Sequence, residues 1–234
     1  MSKLLIFIIG TCLGSFGLWL AQQSVSPYPF EWTRRSRCET CHHILHLVDL
    51  FPIISYLTRR GRCSYCAAKI PSICFWSELS AGVMALYLLI LPKEQWSCFA
   101  TIFFILFVMS WCDVLDGWVP DKLQWVLLVV CLWSFRQILF TLWLAWVPAL
   151  LLFTSLCLIL TFRPHWIGGA DVKLLSILAL TLPAESMPWL LFISSISALT
   201  YIGIQFIWTK QWVTCVRFVP FITLSYIVLL YFSH

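Results

Sequence analysis

Beyond residue 73 the sequence is a near-continuous succession of apolar segments, most of them long enough to cross a hydrocarbon layer. A helix needs about 20 apolar residues for that crossing, with roughly 17–25 as the working range. One more such segment precedes the succession. The expected spans are Leu4–Ala21, Cys74–Leu91, Ser97–Cys112, Lys122–Leu139, Leu142–Phe162, Asp171–Leu182, Pro188–Trp208 and Val213–Phe232. The expected fold class is therefore an all-α polytopic integral membrane protein with about eight transmembrane helices. Asp171–Leu182 is short for a full crossing and reads as a half-helix shielded by protein or as a tilted segment. Composition leads the same way: 61% of the residues are hydrophobic and 11% charged, against about 25% charged in a soluble domain. Disorder is excluded as well, because that much apolar surface has to be buried somewhere.

Composition shifts near residues 22 and 74 divide the chain into a first helix (1–21), a polar loop (22–73) and a helical bundle (74–234). No internal repeat stands out. The first segment has an early Lys3 but no small-x-small site after its apolar stretch, so it reads as a retained helix and not as a cleaved signal. Lys and Arg set the expected orientation. The loop holds Arg34, Arg35, Arg37, Arg59, Arg60, Arg62 and Lys69. Placing it in the cytoplasm also puts Lys122, Arg163, Lys173, Lys210 and Arg217 on that side, and leaves only Lys3, Lys93 and Arg136 outside. Both termini then face outward. The net charge of +5 calls for no nucleic acid, since anionic lipid headgroups suffice as partners.

Four of the eleven cysteines are ordered as Cys38-Glu39-Thr40-Cys41 and Cys63-Ser64-Tyr65-Cys66. Two CxxC knuckles suit a tetrahedral soft metal, and four thiolates close a structural zinc site. Two disulfides or a redox pair are the alternatives, and a reducing cytoplasm disfavours the disulfides. His42, His43 and His46 stand beside the first pair and read as surface residues, because four Cys already fill the shell. The other cysteines lie in or beside apolar runs and read as small packed hydrophobes. A polar loop of this length has few core-forming residues, so metal binding would supply part of its folding free energy. Asp49-Leu50-Phe51-Pro52 and Gly61 supply turn chemistry between the knuckles.

Ten acids are present. Glu31, Glu39 and Asp49 fall in the loop, and Glu94 and Glu185 in short connections. Glu78, Asp113, Asp116, Asp121 and Asp171 fall in or at the ends of expected spans, where an ionisable group is costly and by default functional. Asp121 also has an ordinary reading as an acid at a helix N-terminus, and Asp116 as part of a polar turn. Asp113 is the nearest of the three to its span. Asp171 follows Gly168-Gly169-Ala170, a small-residue turn that permits close backbone approach, and Lys173 is near enough in sequence to act as its counter-ion. Two carboxylates that share a proton can activate water, one as base and the other as acid. Topology allows Asp113 and Asp171 to meet, and spacing alone does not prove it.

Taken in order, these features resemble the type IV prepilin peptidases of bacteria, the GxGD class of intramembrane aspartic proteases. The resemblance rests on Gly14-Ser15-Phe16, the loop from Arg35 to Cys66 with Asp49 to Tyr56, Ile70-Pro71 with Glu78, Asp113 with Pro120-Asp121, Gly168 to Leu175, and Phe218-Val219-Pro220-Phe221. It implies catalysis by Asp113 and Asp171. Gly168, Gly169, Lys173 and Glu78 would be substrate-binding or motif-supporting, and Cys38, Cys41, Cys63 and Cys66 would hold zinc. The implied substrates are type IV prepilins or pseudopilins, cut after a short basic leader at the cytoplasmic face of the bacterial inner membrane. S-adenosylmethionine is the implied donor where the new N-terminus is then methylated. Two departures stand out. Ala170 occupies the position of the second motif glycine, and Gln22-Gln23 stand where family members usually carry an Arg. Asp116 is one position away from the second acid of the common DxD form, which favours Asp113. The rival readings are a non-catalytic zinc-bearing membrane scaffold and a small transporter with a proton relay. The transporter is disfavoured because the acids gather at one membrane face and no repeat is visible.

Overall fold

The structure, a computed structural model, describes residues 2–26, 36–46, 49–136, 146–163, 167–183, 185–211 and 215–233. Arg34, Arg35 and Glu31, and the expected span limits at Leu139, Leu142 and Val213, lie outside these residues. The helices are α1 (Lys3–Val25), α2 (Ile54–Thr58), α3 (Ser72–Tyr87), α4 (Trp96–Asp116), α5 (Asp121–Ser134), α6 (Trp146–Phe162), α7 (Gly169–Leu178), α8 (Ser186–Thr209) and α9 (Val219–Ser233). Every expected span contains a helix, although α3 ends at Tyr87, α7 ends at Leu178 and α9 begins only at Val219. Among the described residues, three helical stretches are long and apolar enough to cross a membrane by themselves, namely Lys3–Val25, Lys93–Asp116 and Ser186–Thr209. Ala149–Phe162 and Val219–Phe232 are apolar but shorter. Helix length thus supports a multi-pass, nearly all-helical protein without fixing the number of crossings at eight. α7 has only 10 residues, in keeping with the half-helix reading.

Contacts group the chain into two compact units, Met1–Phe104 and Ile105–His234, with the division inside α4. In the first unit α1 packs along α3. The contact works because both faces are small. A Cβ placed on Gly14 would lie 2.7 Å from Ala81 Cβ and 2.8 Å from the Ser77 carbonyl oxygen. One on Gly10 would lie 2.9 Å from the Ala81 carbonyl oxygen. Gly10 and Gly14, four apart, face Ser77, Ala81 and Ala85, also four apart, and this is the small-residue pairing that lets apolar helices approach backbone to backbone.

In the second unit α7 packs against α5, α6 and α9, and α8 packs against α9. Leu106, Met109, Leu127, Leu174, Leu178, Ile222 and Tyr226 are fully buried. Two part-buried hydroxyl pairs lie among them, as burial of polar groups requires. Ser110 Oγ and Thr223 Oγ1 are 2.9 Å apart, and Thr181 Oγ1 and the Tyr226 hydroxyl 3.1 Å. The outward faces are apolar too. Trp125, Val129 and Trp133 on α5, and Leu151, Leu158 and Phe162 on α6, are exposed. An apolar exterior on this scale fits hydrocarbon surroundings.

A candidate active site and a four-cysteine centre

The four-cysteine centre belongs to the first unit. Arg37 bridges Ile44 and Arg62 bridges Lys69, each closing a short antiparallel hairpin around one CxxC. The backbone repeats from one hairpin to the other. Cys38 N–H donates to the His43 carbonyl (3.0 Å) and His42 N–H to the Cys38 carbonyl (2.9 Å). Cys63 N–H donates to the Ala68 carbonyl (2.9 Å) and Ala67 N–H to the Cys63 carbonyl (3.0 Å). His42 and Ala67 both turn the chain at positive φ, 55° and 57°. The loop therefore contains a repeat, and the sequence carries it too: Arg34 to Cys41 and Arg59 to Cys66 share the pattern Arg-Arg-x-Arg-Cys-x-x-Cys, which corrects the expectation of no internal repeat.

The hairpins bring the four sulfurs within 4.8 Å of one another, with Cys38 Sγ and Cys66 Sγ 3.7 Å apart. A tetrahedral zinc with Zn–S near 2.3 Å has S···S edges of about 3.8 Å, so the donor set fits that ion. No disulfide joins the described cysteines. The amides of Cys41 and Thr40 point at Cys38 and pull its thiol down to about 6. Those of Tyr65 and Cys66 lower Cys63. At Cys66 the Ala68 amide also pulls downward, but desolvation and the neighbouring thiols of Cys41, Cys63 and Cys38 outweigh it and push the group up to about 12. Four clustered thiols cannot all ionise alone, and a divalent cation among them removes that penalty.

Asp49, expected only as a turn residue, ties the loop together. It accepts from His46 N–H (3.0 Å) and Ser64 Oγ (3.1 Å) and pairs with Arg59. His43 packs at a tilt against Tyr65 of the other hairpin, with centroids 3.6 Å apart, so that His lies against its neighbour knuckle and not in the sulfur shell. Glu78 on α3 accepts from Ser15 Oγ of α1 and, at 2.6 Å, from the Ile53 N–H. Ile53 has φ +60°, an unfavourable conformation for a β-branched residue, costing on the order of 1–3 kcal/mol. One carboxylate thus fastens a strained loop backbone to both helices of the α1–α3 pair.

The carboxylates singled out by sequence lie in the second unit. Asp113 sits in the last turn of α4, buried, and its Oδ2 accepts the Val219 N–H at 3.1 Å. Asp116, one turn on, is exposed. Arg217, whose charge acts on Asp113, packs its guanidinium over Gly117. A Cβ there would collide with it, and the φ of +73° at Gly117 also favours glycine. The segment Arg217–Val219 therefore wraps the end of α4. Its backbone donor and its cation were not foreseen from sequence, where only the proline turn was visible.

Asp171 lies half-buried in the first turn of α7 and within electrostatic reach of Asp113. The two glycines before it take ordinary backbone angles, since no positive φ occurs at Gly168 or Gly169. What matters is space. A Cβ on Gly168 would lie 2.9 Å from Asp171 Oδ2, whereas one on Gly169 would meet nothing within 4 Å among the described residues. Ala170 is helical, so its methyl group needs no glycine geometry. Lys173 does not act as the counter-ion of Asp171. Its Nζ donates to Asp121 Oδ1 at 2.7 Å, because residues two apart on a helix point to different faces. Gln124, buried on α5, donates through Nε2 to the Ala170 carbonyl at 3.3 Å.

Comparison with known proteins bears on both units. Residues 8–91 match the family model described as the bacterial peptidase A24 N-terminal domain, and residues 100–203 match that of the type IV leader peptidase family. The chain is 30% identical over 207 residues to a type 4 prepilin-like proteins leader peptide-processing enzyme of Escherichia coli O78:H11, covering 84% of this chain and 75% of the relative. It is 31% identical over 171 residues to the prepilin leader peptidase/N-methyltransferase of Burkholderia pseudomallei, covering 70% of this chain. It is 26% identical over 183 residues to the like-named protein of Vibrio cholerae, covering 71% and 69% of the two chains. The match spans 55% of the length of the Burkholderia relative. No solved structure matches the chain.

Proposed function

The chain belongs to the type IV leader peptidase family, and from that membership we propose that it is a membrane aspartic endopeptidase. Its substrates are type IV prepilins or pseudopilins, from which it removes a short basic leader, and Asp113 and Asp171 are its catalytic pair. The observation that carries the reading is a buried carboxylate on α4, held by a backbone N–H, within electrostatic reach of a second carboxylate in the first turn of α7.

Two such carboxylates share one proton, because both cannot ionise cheaply side by side. The ionised member takes a proton from water as the oxygen attacks the scissile carbonyl carbon. The protonated member gives its proton to the carbonyl oxygen. When the tetrahedral intermediate collapses, the C–N bond breaks and the first carboxyl hands its proton to the leaving amine. The second carboxylate recovers a proton from the diol, and the pair returns to a single proton. The expected site of cleavage is the cytoplasmic face of the bacterial inner membrane, as the distribution of cations supports.

The four-cysteine loop is assigned a structural zinc held by Cys38, Cys41, Cys63 and Cys66. Zinc orders the loop there, and no step of the hydrolysis runs through it. Methylation of the new N-terminus by S-adenosylmethionine is the second activity that the relatives' names carry. No constellation among the described residues is assigned to that donor, and mass spectrometry of the processed N-terminus reads the outcome directly.

Co-expression with a prepilin tests the peptidase, with loss of leader removal expected in Asp113→Asn and in Asp171→Asn. A finer prediction concerns the glycines. Gly168→Ala forces the Asp171 carboxylate to move, and a misplacement of this kind is expected to lower kcat by roughly tenfold to a hundredfold. Gly169→Ala, with open space around its new methyl, is expected to cleave at close to the original rate. Equal activity of the two variants would sink this account of the turn.

A further inference from the structure

We propose that the second unit holds a phospholipid with a primary ammonium headgroup in the cleft between α5, α6 and α7. The cleft measures about 400 Å³, within the range of small-molecule sites. Its walls are apolar, built by Trp125 and Leu128 of α5, Leu150 and Phe153 of α6, and Ile177 of α7. One end is polar, where Asp121 and Lys173 meet. Both side chains remain substantially exposed in that pair, so each keeps capacity for a further partner.

Gln124 identifies the headgroup. It lines the same cleft, is 3% exposed, and its Oε1 has no hydrogen-bond donor among the described residues. A buried acceptor of this kind needs one. Asp121 and Gln124 are three apart on α5 and so share a face. A primary ammonium could donate to the Asp121 carboxylate and, once a small rotation of the Gln124 amide uncovers its Oε1, to that oxygen as well. The adjoining phosphate would then meet the Lys173 ammonium, and an acyl chain would run along the apolar walls. A choline headgroup has no N–H to offer. A glycerol headgroup brings no cation for Asp121.

The placement of the cleft favours lipid over substrate. Lys173, Ser176 and Ile177 of α7 line it, whereas Asp171 is about 200° around the helix from Lys173. The cleft is therefore on the far side of α7 from the proposed reacting carboxylate. A lipid there braces α7 from behind and meets no scissile bond.

The test uses the full-length protein in detergent, with native mass spectrometry against synthetic lipids of identical acyl chains. Phosphatidylethanolamine is expected to bind one to one and at least tenfold more tightly than phosphatidylcholine, with the N-methylated ethanolamines weakening in order as N–H groups are lost. Phosphatidylglycerol is expected to bind more weakly than phosphatidylethanolamine. Gln124→Leu and Asp121→Ala should each reduce the preference for ethanolamine over choline. Equal binding of the two headgroups by the unaltered protein would overturn the proposal, and so would a preference for phosphatidylglycerol. Crosslinking of a prepilin's apolar segment from a photoreactive group at Leu150 would overturn it as well. The headgroup series needs no variant, so it stands even if a substitution disturbs folding, and its outcome is independent of whether the protein cleaves prepilins.

Discussion

Asparagine in place of either Asp113 or Asp171 is expected to lower leader cleavage by about 10²–10⁴-fold, the usual worth of general acid–base catalysis, while the protein stays folded. The reason is specific to each position. At position 113 the asparagine side chain would keep an oxygen for the Val219 N–H that Asp113 now accepts at 3.1 Å, so the end of α4 should hold its shape. It could not take a proton from water. At position 171 the asparagine side chain would occupy nearly the same volume below Gly168 and could not donate an acidic proton. Because the two carboxylates act as one device, the double variant should be scarcely worse than either single one. Asp116→Asn is the control, since that side chain is exposed and lies outside the proposed pair. The measurement is the fraction of co-expressed prepilin processed, beside thermal melting in detergent. Processing at the original rate by either single variant would refute the pair, and no processing by the unaltered protein would favour the scaffold reading.

Loss of the metal from the loop should have the second large effect. The purified protein is expected to carry about one zinc per chain, as four ligands closing one shell require. Structural zinc in small modules contributes apparent binding free energies of about 10–16 kcal/mol, comparable with the whole stability of an ordinary domain, about 5–15 kcal/mol. Chelation, or Cys38→Ser, should therefore unfold the two hairpins outright. Limited proteolysis would then cut between residues 36 and 69 while the helical signal of the remaining chain persists. Purified protein without metal, its Cys38, Cys41, Cys63 and Cys66 joined as disulfides, would contradict the assignment.

Much of this arrangement was legible because it depends on local sequence. The helices follow from apolar runs, and the sulfur cluster follows from paired CxxC spacing. The choice of Asp113 over Asp116 came from proximity to the span and from the family's motif spacing. The structure buries the one and exposes the other. What stayed hidden depends on contacts between distant segments. Lys173 was paired in expectation with the acid two residues away and in fact bonds one 52 residues away. Helix periodicity held the signal for that, since positions two apart do not face each other. No periodicity could have found the Val219 N–H for Asp113, the Gln124 contact to Ala170, or the three partners of Asp49. Gly168 and Gly169 were equivalent as letters and differ as neighbours, because only the first lies against a carboxylate.

The Glu78 junction has a consequence for how the first unit opens. Its carboxylate accepts from Ser15 on α1 and Ile53 in the loop while standing on α3, so none of the three segments can leave without stranding it. The glycine-lined contact of α1 on α3 allows little gradual loosening, since close-packed backbones separate or stay. Loop, first helix and third helix are therefore expected to open together as one foldon. The amide of Ile53, in a loop that would otherwise exchange its protons rapidly, should share the slow hydrogen exchange of the helix pair.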